Sequence, residues 1–271
     1  MRIFLIVLAL ISAPAVSQPK EGVEVQKSRL LLLPASTVER SASQQYGQLM
    51  HTASQKNLLN RDPVQIERLR VIARALIPHS KRFNANSVKW QWEVNLISSK
   101  SVNAFCMPGG KIAFFTGIIE QLQLTDDEIA TIMGHEIGHA LLEHGRARMS
   151  EQVLKSIGIA ALSIFFNLGQ VSHEVLAQAA NLAVSLPYAR KQESDADLVG
   201  LELSARSGHD PRAAVAVWHK MAKLSKSGAK DSRGQPPQFL STHPSHESRI
   251  REIEANLPKV MPLYRKGKAD S

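Results

Sequence analysis

His135 and His139 stand four residues apart with Glu136 directly after the first, and this cluster constrains the chain more than any other feature. On an α-helix four residues amount to about 40° of azimuth and one turn of rise, so both imidazoles can reach one metal ion. Glu136 is then turned by about 100° from His135, beside the pair, where a carboxylate can take a proton from an activated water. The flanking residues support the helix. Thr125-Asp126-Asp127-Glu128 has the form of a capping box, and the helix is expected to run from Thr125 through His-Glu-Ile-Gly-His toward Met149. Two neutral imidazoles and a carboxylate suit zinc and leave one tetrahedral position for water, so one Zn2+ per chain is expected.

The third ligand lies downstream. A histidine six residues after His139 is ruled out because Gly145 is there. His144 is turned about 140° from His139 on a continuous helix and reads as an ordinary surface residue. Glu193 and Asp197 sit four apart on one face of an acidic helix from about Lys191 to Arg206. Glu193 can bind the metal while Asp197 accepts the other ring N–H of a ligand histidine. Taken alone, the pair reads by default as an acidic patch on a solvated face, and only His-Glu-Ile-Gly-His upstream reverses that reading.

Around this centre, apolar spacing predicts helices over Val38–Asn57 and Asp62–Ile77, the second opened by Asp62-Pro63. Val88–Ile97 alternates apolar and polar residues, and Lys111–Thr116 follows Pro108-Gly109-Gly110; the two read as strands of a small antiparallel sheet joined through a tight turn. Ser156–Phe166 and Val175–Leu186 read as a core helical hairpin, with a membrane-facing lid as the alternative. A further helix is expected after Asp210-Pro211, a flexible loop over 225–238, and a short helix after Thr242-His243-Pro244.

Four blocks in order, Asn103–Ile112, His135–His144, Glu193–Asp197 and Ser241–Arg249, resemble the gluzincin peptidases of the family that includes the CAAX prenyl protease, HtpX and the periplasmic protease BepA. The likeness covers roughly residues 40–256. It implies a mostly helical α+β, zincin-like metallopeptidase domain with zinc on His135, His139 and Glu193, Glu136 as general base and Asp197 in support. It also implies that the strand ending near Thr116 is the active-site edge, that Asn103 and Ala104 contact substrate backbone, and that His243 lies near the metal. There His243 would plug the site at rest or stabilise the oxyanion, a helix-capping role being the bland alternative. The chain resembles the soluble members that lack a repeat domain.

The domain is expected over 38–256, preceded by a signal peptide at 1–17 and an irregular segment at 18–37, and followed by a basic tail at 257–271. Arg2, the nine apolar residues Ile3–Ile11 and the small residues Ala13, Ala15 and Ser17 form the signal, too short to span a bilayer. Cys106 is the only cysteine, so the fold holds without an intramolecular disulfide, and the thiol reads as packing rather than as a nucleophile. The net charge of +9 favours acidic partners, and peripheral membrane contact is consistent with it. Scattered basic residues, 5% aromatics and no recognition motif argue against nucleic acid. The expected function is periplasmic endoproteolysis of unfolded or misassembled polypeptides, outer-membrane proteins among them. The alternative is a chaperone-like binder with a vestigial zinc site.

Overall fold

The computed structural model describes residues 21–26, 31–154, 189–229, 234–244 and 247–270. The signal segment and the apolar hairpin at 156–186 therefore lie outside the described residues, as does part of the loop expected at 225–238. Eight helices are labelled: α1 (Ala35–Gln55), α2 (Pro63–Leu76), α3 (Thr116–Leu122), α4 (Asp126–Leu141), α5 (Arg190–Arg206), α6 (Ala213–Lys226), α7 (Gln238–Thr242) and α8 (Glu247–Asp270). The strands are β1 (Glu93–Ile97), β2 (Ala104–Met107) and β3 (Lys111–Phe115). No helix among the described residues is long and apolar enough to cross a membrane.

The fold is mostly helical α+β, but its sheet is mixed, in the order β1-β3-β2. The Pro108-Gly109-Gly110 turn joins β2 to β3, which pair antiparallel, whereas β1 lies parallel to β3. Parallel neighbours need a crossover of about a dozen residues, and residues 98–110, which contain β2, provide it. The apolar alternation that begins at Val88 also misleads. Residues Ala85–Lys89 form a 3-10 turn, and the Trp90 and Trp92 rings pack together with centroids 5.3 Å apart before the strand begins at Glu93.

The sheet lies between α1 and the main core. Leu96, Ile112 and Phe114 point into that core, built with α2, α4 and α5. Ala113 and Ile97 face Tyr46, Met50 and Ala53 of α1. The Tyr46 hydroxyl donates to the Ile112 carbonyl at 2.6 Å, which pins α1 to the strand. β1 is covered on its outer side by an isolated bridge from Leu59 to Ile97. β3 is central, so the edge that faces the site is β2 and not the strand ending near Thr116.

Several boundaries also differ from expectation. The helix opened by the capping box at Thr125 ends at Leu141; Glu143 takes a left-handed φ of 57°, and residues 144–154 resume a helix in a new direction. Asp210 accepts the Arg212 N–H, but α6 starts only at Ala213. The segment after Pro244 is not short: α8 runs unbroken through Pro258 and Pro262 to Asp270. The basic tail is thus helical and packed, because Val260 and Leu263 are buried against the core. Part of the irregular N-terminal segment is docked too. Val23 is buried, and its N–H donates to the buried Glu202 carboxylate at 2.6 Å.

Candidate metal centre

α4 and α5 carry the centre, and they meet backbone to backbone. A Cβ on Gly134 would lie 3.0 Å from the Gly200 Cα, one on Gly138 3.0 Å from the Ala196 carbonyl oxygen, and one on Gly200 2.7 Å from the His135 nitrogen. This close approach brings Glu193 and Asp197 against the two histidines. His135, Glu136, His139, Glu193 and Asp197 are all buried.

The donor atoms converge. His135 Nε2 and His139 Nε2 lie 3.1 Å apart, and Glu193 oxygens lie 3.6 Å from the first and 3.4 Å from the second. His243, at the C-terminal end of α7, places Nδ1 3.2 Å from His135 Nε2 and 3.0 Å from Glu193 Oε1. Four donors bound at zinc's usual 2.0–2.1 Å in a tetrahedron are about 3.3–3.4 Å apart, so this set fits one zinc ion. The His135 tautomer agrees. Asp197 Oδ1 lies 2.9 Å from His135 Nδ1 and can only accept, so Nδ1 carries the proton and the Nε2 lone pair faces inward toward His139. A cation satisfies lone pairs that face one another.

The electrostatics favour the ligand forms. Burial pushes His139 well below its usual value, keeping the imidazole neutral. For Glu193, burial alone would raise the carboxyl, but His243, His139 and Arg249 outweigh it and hold the group well below the usual carboxylate range. Asp197 is likewise lowered, with Arg249 and His135 overcoming burial. Glu136 goes the other way, raised by burial against the opposing pull of His243 and His135. Its Oε1 has no hydrogen-bond partner among the described residues and lies 3.4 Å from His243 Nε2. A group so placed can take and return a proton.

The remaining expected residues fall into place unevenly. Asn103 and Ala104 line the same cleft as Glu136 and His243. Asp195, between Glu193 and Asp197 on α5, pairs with Lys191 at 2.6 Å and is not among the converging donors. Cys106 is buried and burial raises its thiol well above the usual value, in keeping with packing.

Two residues have larger parts than the sequence suggested. His144 is buried, not on the surface, and its Nδ1 lies 2.9 Å from His139 Nδ1. The left-handed turn at Glu143 folds it back over the ligand, and only Gly145 hints in the sequence at a break there. Burial lowers His144 to about 3, so it remains a neutral hydrogen-bond partner. Arg249, which in the sequence only closes the fourth block, bridges Glu193 at 2.6 Å and Asp197 at 2.7 and 2.8 Å, its guanidinium 3.8 Å from the Trp218 ring centroid.

The family model for peptidase family M48 matches residues 63–257, and that stretch contains the converging ligands. The chain belongs to peptidase family M48. Among its curated relatives are the mitochondrial metalloendopeptidase OMA1 of Arabidopsis thaliana, 36% identical over 66% of this chain and 34% of the relative, and that of Schizosaccharomyces pombe, 35% identical over 63% and 48%. The putative beta-barrel assembly-enhancing protease of Vibrio cholerae is 30% identical over 66% of this chain and 37% of its own length. The chain thus spans between about a third and a half of the curated relatives it matches. In a chain of this family the converging donors fit a zinc site on a zincin-like domain, with the HExxH pair on α4.

Proposed function

We propose that the chain is a zinc-dependent endopeptidase that hydrolyses peptide bonds of unfolded or misassembled envelope proteins in the periplasm, as part of protein quality control. The observation that carries this reading is the buried Glu136 carboxylate, its Oε1 without a hydrogen bond among the described residues, beside the converging donors of His135, His139 and Glu193. A purely structural zinc site has no use for a base there. The resemblance to a beta-barrel assembly-enhancing protease supports envelope substrates. The OMA1 relatives share the metalloendopeptidase name but belong to mitochondria, so the periplasmic setting rests on the sequence's signal segment and the bacterial likeness.

When bound, zinc would polarise the scissile carbonyl and lower the pKa of water. The β2 edge pairs with an extended substrate strand, with Asn103 and Ala104 at its start, which selects unfolded segments over folded ones. Glu136 takes the proton of the attacking water and delivers it to the leaving amine. Asp197 orients His135 through Nδ1, and Arg249 fixes Glu193 and Asp197 together. His243 stands between the ligands and the base, its Nδ1 toward Glu193 and its Nε2 toward Glu136. In this position it closes the resting site and must move before substrate enters.

Digestion of a misfolded porin with and without chelator tests the reading. Glu136→Gln is expected to keep its zinc and lose about 10²–10⁴-fold in turnover, the usual worth of a general base, while Glu193→Ala loses zinc after dialysis. Undiminished cleavage by Glu136→Gln refutes the mechanism. Porin binding without chelator-sensitive cleavage by the native chain would favour the chaperone-like alternative.

A further inference from the structure

A cavity of about 80 Å³ opens beside Glu136 and His243. That is several times the roughly 10–15 Å³ one water needs, so the space suits a side chain. One wall is the β2 edge at Cys106 and Met107; Met149, from the helical stretch after the Glu143 turn, closes part of the rim. The opposite wall is α1, through Val38, Ala42 and Gln45. These three are spaced four and three residues apart and so share one helix face. α1 precedes residue 63, where the match to the family begins. It is also firmly held: Tyr46 bonds the Ile112 carbonyl, and Trp90 Nε1 donates to Glu39 at 3.0 Å.

We propose that α1 forms the wall of a specificity pocket that takes an apolar side chain, of leucine or phenylalanine size, from the residue flanking the scissile bond. The inference rests on the peptidase reading above. A substrate strand laid along β2 turns alternate side chains to opposite faces, and the residue at the scissile bond is the one brought level with Glu136. The side chain that enters between β2 and α1 then meets Val38, Ala42, Met107 and Met149. Ala42 matters most by being small. Any longer side chain there projects into the space between α1 and β2, whereas shortening Val38 enlarges it.

The test uses matched peptides carrying Ala, Leu, Phe or Glu on either side of one cleavable bond. For the native chain, kcat/KM for the Leu and Phe peptides is expected to exceed that for Ala by tenfold or more, the scale on which apolar pockets discriminate. Ala42→Leu should collapse the Leu-to-Ala ratio by about tenfold, and Val38→Ala should shift preference from Leu toward Phe, with zinc content and melting temperature confirming that both variants are loaded and folded. Affinity of the same peptides for the Glu136→Gln chain, read by fluorescence anisotropy, gives a second readout that needs no hydrolysis. If the native chain cleaves none of the peptides, the peptidase reading fails, and the pocket is still judged by the same size order in binding and by its change when Ala42→Leu or Val38→Ala is added to that chain. Ratios unmoved by both α1 variants overturn the proposal. Preference for the Glu peptide also overturns it, and would give the pocket to Arg148, which lines the same cavity.

Discussion

His243 and His144 show how much of this centre depends on single side chains. His243 lies within hydrogen-bonding distance of Glu193 and close to both His135 Nε2 and Glu136. As a plug, its removal in His243→Ala should raise peptide turnover or provoke self-cleavage, read by peptide assay and by the intact mass of the purified chain over time. A fall in turnover at unchanged zinc content would instead make it an oxyanion donor. His144 touches His139 Nδ1, and through it would act on a bound metal indirectly. Partners of this kind typically hold about 10–100-fold of metal affinity. His144→Ala is therefore expected to weaken zinc by that factor in competition with a chromophoric chelator. An affinity equal to the native one would reduce His144 to a packing residue.

At the scale of elements, the crossing of α4 and α5 sets the site. The glycines at 134, 138 and 200 remove side chains where the two backbones touch, and the ligand spacing follows from that contact. Gly200→Ala places a methyl 2.7 Å from the His135 nitrogen, which the backbone cannot yield cheaply. Overpacking of this kind costs about 1–3 kcal/mol. The expected outcome is a lower melting temperature together with weaker zinc binding, since the displaced helix carries Glu193. A stability loss with native zinc affinity would separate the helix crossing from the ligand geometry. β2 matters at this scale too: it is the sheet edge at the cleft, while β3, sequestered between two neighbours, has no free backbone to offer a substrate.

Across the whole molecule, α8 ties the last residues of the chain to the centre. Val260 and Leu263 are buried toward one end, and Arg249 reaches Glu193 and Asp197 from the other. Burying two such side chains contributes roughly 3–6 kcal/mol as an upper estimate. Deleting 257–271 should therefore lower the denaturant midpoint substantially, as measured by urea unfolding of the zinc-loaded chain. A midpoint equal to that of the full chain would return the segment to a dispensable tail.

The sequence by itself determined which residues are candidates for the site's chemistry. The four-residue spacing of His135 and His139, the capping box at Thr125 and the pairing of Glu193 with Asp197 are local patterns, and local geometry follows from residues a turn apart. The tertiary structure decided what depends on distant contact. His144 could be placed only once Glu143 had turned the chain back, and Arg249 only once α8 lay across α5. The parallel pairing of β1 with β3 came from a crossover that alternation cannot reveal, since Trp90 and Trp92 mimic strand periodicity by packing on each other. Pro258 and Pro262 argue locally for a break, yet the helix continues because Val260 and Leu263 are held by the core, and burial there outweighs the backbone hydrogen bonds that the prolines remove.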